Sequence, residues 1–577
     1  MRTVLVALRL AVLLLALTLL GCGGDSSTKV TPPQTSTATQ TSLPTSTPTA
    51  SRASTPSLTP TQTTAPTLTP STTATPSAVS TPSATASRTA SEVESACRAL
   101  SGTTIGGARI RTAALVAATN RAPEYCRATA RIDAALNFEV RLPTAWNRKA
   151  VFIGGGGYNG VIPAPEGFTY SPDILPNGYA TIATDSGHTG GPFSAMWALD
   201  NPEAVDNFAY LANHTVLLAA RQIIEARYGT SATRVYFEGS STGGREALIM
   251  AQRWPDDCDG VIAREPVHNF VALQLAILRI ARQMFTAAGG FLPPANVQAL
   301  SRAVLQACDA ADGLEDGIIS NVPGCPFDPA VLRCSGPAAA DCLTDAQIDT
   351  VNTVHSDLQL SFALADGTMG HPRWPVGTED SPTAWPLWIT GTGGGMPTSL
   401  QFLLADQFIK YFVTQDEGFA SLDFAPDVYA DRLLELSRLF DATDPDLSAF
   451  KARGGKLILW HGWADYGPSI YSTIEYYGSV VSTAAGQAAA DEHVRFYTSP
   501  GVDHLGGGPG APSFDLLSAL DAWVEAGTHP GDLVAYKLDP VSSDRVPFRP
   551  LCRYPSYPRY AGAGDPNSAS SFVCTIP

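Results

Sequence analysis

The sequence predicts an α/β fold: a doubly wound, mostly parallel sheet with helices on both faces and one large insertion. Three observations carry this expectation. Short apolar runs recur at Lys149–Ile153, Gly178–Thr184, Arg234–Phe237, Gly260–Ala263 and Lys456–Trp460, each too uniformly apolar for a strand with one wet face. Segments with a helical apolar period lie between them, notably Val205–Tyr228 and Arg245–Arg253, as in a sheet whose parallel strands are joined by helices. From about Asn269 to Leu447 the alternation fades into helices, loops and cysteines, so this stretch reads as inserted between two strands. The chain has 577 residues, 44% of them hydrophobic, enough for a large interior. Its Lys+Arg 37 against Asp+Glu 53 gives a net charge of -16, which argues against nucleic acid or an anionic membrane surface as partner.

Along the chain, Arg2 precedes an apolar stretch, Ala11–Leu20, of the length of a signal-peptide core. It ends in Leu19-Leu20-Gly21-Cys22, which resembles a bacterial lipobox; an ordinary signal peptide with an incidental cysteine is the alternative. The resemblance implies cleavage before Cys22 and lipidation of its sulfur, hence export, with membrane attachment only through the lipid. Residues 1–22 are thus expected to be a lipoprotein-type signal. Residues 23–91, rich in Thr, Ser and Pro, are expected to form a linker too poor in apolar surface to offset its ordering entropy. Residues 92–268 and 448–577 make up the sheet domain and 269–447 the inserted lid. Of 10 cysteines, Cys22 belongs to the signal region. Pairing neighbours gives Cys97–Cys126, Cys308–Cys325, Cys334–Cys342 and Cys552–Cys574, with Cys258 left as a buried hydrophobe.

The chemistry starts at Gly239-x-Ser241-x-Gly243, between a strand and a helix. This is the nucleophile-elbow pattern, in which small neighbours let the backbone double back and the helix N-terminus offers amides to an oxyanion; a glycine-rich loop with an incidental serine is the alternative. A base and an orienting acid are expected downstream in the order acid, then histidine. Asp465 follows the strand ending at Trp460, and His504 lies in the glycine-rich loop after Val494–Tyr497. Asp503 competes for the acid role and His461 for the base, although His461 breaks the order. His188 reads as structural or as pocket lining. Gly154–Gly157 sits where a second oxyanion donor belongs, so the amide of Thr242 and one from Gly156 or Gly157 form the expected oxyanion hole; a flexible turn is the alternative. In the insertion, Asp309, Asp312, Glu315 and Asp316 crowd one turn with Gly313 and Gly317. Such crowding suits Ca²⁺, without EF-hand spacing, and equally suits a solvated acidic loop.

Together these segments resemble the tannase and feruloyl esterase family. The resemblance runs from about Cys97 to Cys574 and includes Phe152–Gly157, Gly178-Tyr-Ala, Asp185–His188, Gly239–Glu246, Trp254–Gly260, Gly455–Asp465 and Pro500–His504. It implies Ser241 as nucleophile, His504 as base and Asp465 as orienting acid. It implies a structural Ca²⁺ in the lid, bound by the side chains of Asp309, Asp312 and Asp316 and the carbonyls of Leu314 and Ile318. It also implies a serine esterase for small aromatic esters of hydroxycinnamic, hydroxybenzoic or terephthalic type, acting through an acyl-enzyme. The lid aromatics Trp385, Trp388, Phe402, Phe408, Tyr411 and Phe412 could stack on such a ring, but most are expected in the lid core. Two departures stand out. Ser240 and Leu505 occupy positions where the family usually carries a disulfide, so the triad should be held by packing alone and be looser. Arg264-Glu265 stands where the family usually has small residues. The alternatives are a surface-anchored, non-catalytic binding protein on this scaffold, or an acyltransferase or thioesterase with the same triad.

Overall fold

The computed structural model describes residues 90–120, 122–165, 171–391, 398–539 and 544–577. The expected signal segment, Cys22 and the expected linker up to residue 89 lie outside these. A helix, Ala90–Arg98, starts just inside the end of that linker. No helix among the described residues is long and apolar enough to cross a membrane.

The apolar runs pair into one sheet. Its strands are β1 (Thr104–Ile105), β2 (Ala108–Val116), β3 (Tyr125–Ile132), β4 (Leu136–Pro143), β5 (Lys149–Ile153), β6 (Ala180–Thr184), β7 (Arg234–Ser240), β8 (Gly260–Arg264), β9 (Lys456–Gly462) and β10 (Val494–Ser499), in the order β1-β2-β3-β4-β6-β5-β7-β8-β9-β10. From β6 to β10 in that order every pairing is parallel, as the unbroken apolar runs predict. An antiparallel meander, β1 to β4, extends the sheet and joins it by pairing β4 with β6; no expectation had been placed on it.

Both faces are covered because alternate residues of each strand enter different cores. Ala150 and Phe152 pack with the helix α1 (Ala212–Tyr228) and the lid, whereas Val151 and Ile153 pack beneath the C-terminal helix. Every residue of β6 and of β8 is buried, and each large apolar side chain so placed contributes about 1.5–3 kcal/mol. The remaining core helices are α2 (Thr242–Arg253), α3 (Ile470–Thr483) and α4 (Leu516–Ala526).

Residues 269–447 carry the helices Phe270–Thr286, Pro294–Cys308, Asp345–Val354, Leu400–Phe408 and Ala430–Phe440. Arg245 of α2 ties them to the sheet domain. Its buried guanidinium donates to the carbonyls of Phe208 (2.9 Å), Ala209 (2.9 Å) and Phe440 (3.1 Å) and lies over the Phe208 and Phe270 rings. Trp385, Phe408, Tyr411 and Phe412 are buried and Phe402 is partly so, which makes them mainly lid core. The disulfides are Cys97–Cys126, Cys308–Cys325, Cys334–Cys342 and Cys552–Cys574, and Cys258 is buried and unpaired.

Candidate active site

The site forms where the chain leaves the carboxyl ends of β7, β8, β9 and β10, the end of a parallel sheet at which side chains from separate loops converge. After β7 the backbone reverses into α2. Ser241 at the turn has φ 61° and ψ −121°, a region costly for a residue with a side chain. Three backbone bonds hold it there: Ser241 N–H donates to the Arg264 carbonyl, and the Arg245 and Val267 amides donate to the Ser241 carbonyl, each at 3.1 Å. The flanking glycines are obligatory, since a Cβ on Gly239 would lie 2.1 Å from the Gly243 carbonyl oxygen and one on Gly243 would lie 2.6 Å from that of Gly155.

His504 and Asp465 meet as the chain order requires, with His504 Nδ1 2.8 Å from Asp465 Oδ2. Asp465 is fully buried, and its Oδ1 accepts the Gly467 amide at 2.6 Å. A Cβ on Gly467 would lie 3.1 Å from both Asp465 Oδ1 and the His504 ring, so a side chain there would press on the pair. Burial opposes charge on Asp465, but His504 and His461 outweigh it and hold the carboxyl below its usual range. Burial depresses the His504 imidazole, but the Asp465 carboxylate, joined by Glu265 and Asp503, reverses this and raises it.

The competing residues are engaged elsewhere. His461 is fully buried behind Asp465, with Nδ1 on Thr473 Oγ1 at 2.9 Å and Nε2 3.2 Å from Asp465 Oδ2. Asp503 accepts the amides of Leu505 (2.9 Å) and Gly507 (2.7 Å) on Oδ1 and bonds Thr383 through Oδ2, so it shapes the histidine loop. His188 stacks on Trp197 and bonds the Tyr158 carbonyl at 2.8 Å.

Ser241, Thr242, Gly157 and His504 line one cavity of about 40 Å³ with Tyr158, Val267, Phe270, Leu273, Gln274, Ile277, Trp388 and Leu404. Gly156 and Gly157 are half-buried beside it. Their loop is fixed from two sides: Thr242 Oγ1 donates to the Gly157 carbonyl at 2.7 Å, and Glu246 of α2 accepts the Gly155 amide at 3.0 Å. Glu246, to which sequence reasoning assigned no role, looks like an ordinary helix-face acid; only its spacing of five residues from Ser241 hints at a buried task. Trp388 faces the chemistry, its ring perpendicular to that of His504 with centroids 5.0 Å apart.

Ser240 and Leu505 are not bridged. Leu505 is 37% exposed, whereas Ser240 Oγ donates to Glu265 Oε1 at 2.8 Å. The expectation that packing alone holds the triad is therefore corrected: a buried hydrogen bond joins the elbow to the end of β8. The companion Arg264 turns away and pairs with buried Glu238 at 2.8 Å.

In the lid loop, Asp309 Oδ2 accepts the Gly317 amide (2.9 Å), Asp312 accepts the amides of Leu314 (3.1 Å) and Ser320 (2.9 Å), and Asp316 accepts that of Ile318 (3.2 Å). Asp316 also pairs with Arg549. Asp309 Oδ1 is buried with no partner among the described residues. Burial raises the carboxyls of Asp312 and Asp316, Arg549 opposing the rise at Asp316.

Residues 120–575 match the family described as tannase and feruloyl esterase. An esterase of Agrobacterium fabrum is 35% identical over 502 residues, covering 81% of this chain and 89% of its own. Mono(2-hydroxyethyl) terephthalate hydrolase of Piscinibacter sakaiensis is 30% identical over 524 residues, covering 79% and 85%. Feruloyl esterase B of Aspergillus oryzae has the same fold, with a TM-score of 0.73 at 24% identity over 84% of this chain and 100% of the other.

Proposed function

The chain belongs to the tannase and feruloyl esterase family and is a carboxylic ester hydrolase; on that premise we propose that it cleaves small aromatic esters through Ser241, His504 and Asp465. The observation that carries this reading is the strained Ser241 sharing a cavity with His504, whose far nitrogen is fixed on Asp465. His504 takes the Ser241 proton as Oγ attacks the ester carbonyl. The tetrahedral oxyanion rests on the Thr242 amide and one from Gly156 or Gly157. Collapse expels the alcohol, protonated by His504, and leaves an acyl-serine. Water, deprotonated by the same imidazole, then releases the acid and restores the hydroxyl.

An apolar wall of Phe270, Leu273, Ile277 and Trp388 supports an aromatic acyl group. The space is about 40 Å³, against roughly 300–1,000 Å³ in sites that enclose a drug-sized ligand, so wall side chains have to turn aside as the ring enters. Export, with a lipid on Cys22, fits the disulfides and the signal-like start.

We further propose that Asp309, Asp312 and Asp316, with the carbonyls of Leu314 and Ile318, hold a structural Ca²⁺. The buried, unpartnered Asp309 oxygen supports a cation there. The ion would supply positive charge to the loop, whose residues do not line the cavity of Ser241 and His504.

The test is a fluorophosphonate probe together with hydrolysis of methyl ferulate, a galloyl ester and a terephthalate monoester, with products analysed in water and with added alcohol. Labelling that Ser241→Ala abolishes, and free acid as the product, are expected. A folded wild-type protein that is not labelled, or acyl transfer to alcohol in place of hydrolysis, overturns the reading.

A further inference from the structure

We propose that Glu265 is a positioning residue of this centre: a second buried carboxylate that faces the His504–Asp465 pair and sets the pH above which His504 is a free base. The inference rests on the reading of His504 as base. Glu265 follows β8 with φ 32° and is pinned by its amide, which donates to the Trp460 carbonyl at 2.7 Å. Its Oε1 accepts the Ser240 hydroxyl at 2.8 Å, and its Oε2 is buried with no partner among the described residues. A carboxylate oxygen of Glu265, one of Asp465 and a ring nitrogen of His504 lie within 4.8 Å of one another.

Two buried carboxylates at that separation do not both ionise unless a cation sits with them. The groups around them leave His504 as that cation. Arg264 is engaged by Glu238, His461 reaches the same Asp465 oxygen as His504 but is outside the 4.8 Å group that includes Glu265, and Asp503, which also faces His504, is taken up by amides of its own loop. The balance is therefore between protonated Glu265 with neutral His504 and ionised Glu265 with protonated His504. The two states hold the same number of protons, so pH does not shift the balance between them; Glu265 acts on the pH profile by raising the pH at which the shared proton leaves. Only the first state contains a base. Burial pushes the Glu265 carboxyl up to about 8, with Asp465 adding to the rise and His504, Ser240 and Arg264 opposing it, which favours the first state; the carboxylates of Asp465, Glu265 and Asp503 raise His504 against its own burial, which favours the second. The Ser240 hydroxyl, by donating to the carboxylate, favours the second.

The signs follow. Glu265→Gln removes the charge that retains the imidazolium, so the acidic limb of kcat/KM moves down by about one pH unit. Ser240→Ala moves the limb the same way by less. Glu265→Asp keeps a carboxyl and holds the limb near its wild-type position. The experiment is the pH profile of kcat/KM for 4-nitrophenyl acetate with wild type and these three variants, each checked for folding by circular dichroism, and His504→Ala as control. A folded Glu265→Gln with an unmoved limb overturns the inference, as does an unmoved limb in Ser240→Ala should Glu265→Gln fail to fold. Retained activity in His504→Ala overturns instead the reading of the base, so the two failures are separable.

Discussion

On the sheet side of the cavity, Ser241, Asp465, Glu265 and His504 come from four strand ends and are tied to one another, to the Ser240 hydroxyl or to the backbone. On the lid side, Phe270, Leu273, Ile277, Trp388 and Leu404 present apolar surface in which Gln274 is one of few polar groups. The difference separates two tasks. Charge development needs fixed donors and a base at a defined protonation state, and only a rigid sheet end supplies them. Shape and polarity around an acyl group need only a wall, which one helix and its neighbours provide. Substitutions of Ser241, Asp465 and His504 on the sheet side should accordingly act on kcat and that of Glu265 on its pH dependence, whereas those on the lid side act on KM and on the choice of ester.

The largest break is expected at the base. His504→Ala should lower kcat about 10⁴-fold or more while leaving KM within a few-fold, since binding and the oxyanion donors survive. Steady-state kinetics on a ferulate ester checks this, and a fall confined to KM would place His504 outside the chemistry. Glu246→Gln should come next. The present carboxylate accepts from both the Gly155 amide and the Asn159 side chain. A glutamine has one carbonyl oxygen for two donors, so the glycine loop loosens and kcat falls about tenfold with KM held. If KM rises and kcat does not, the loop serves binding and not the oxyanion.

The acidic lid loop sharpens the same contrast from outside the cavity. Removing Ca²⁺ with a chelator should lower the melting temperature by a few degrees without altering the pH profile of hydrolysis, because a cation that binds only the folded state adds stability by mass action, about 2.7 kcal/mol at a hundredfold excess over Kd. Differential scanning calorimetry with and without added Ca²⁺ reads it; identical curves count against a cation there.

These contrasts show what the linear sequence can carry. The parallel strands were legible because residues buried on both faces must be apolar throughout, as in Gly260–Ala263. The meander Ala108–Pro143 was not, since its alternation runs through Ala and Arg, as in Ala108-Arg-Ile-Arg, and alanine carries a weak strand signal. Ser241, Asp465 and His504 could be singled out as candidates because the elbow pattern is local and the order of its partners is fixed, and the structure brings Asp465 within 2.8 Å of His504 and Ser241 into the cavity His504 lines. Glu265 could be noticed only as an oddity after an apolar strand. Its meaning lies in loops about 200 and 240 residues further on, and no local pattern encodes a contact made across three strands.

The smallest expected effect on turnover lies on the lid side, at Gln274. The residue is 3% exposed, lines the cavity, and its Oε1 has no partner among the described residues. A buried amide oxygen without a donor costs about 1–3 kcal/mol, a cost that a ring hydroxyl of a bound ester removes by donating to it. Gln274→Leu keeps the volume and deletes the acceptor. The variant should therefore lose about tenfold in the ratio of kcat/KM for a 4-hydroxybenzoate ester over the unsubstituted benzoate ester, the loss falling on KM for the hydroxylated substrate. Its melting temperature should hold or rise, because an unsatisfied polar group has been replaced by a carbon side chain of similar size. A ratio that stays constant while both substrates weaken equally would mean that Gln274 only fills space, and that the lid reads the ring by shape.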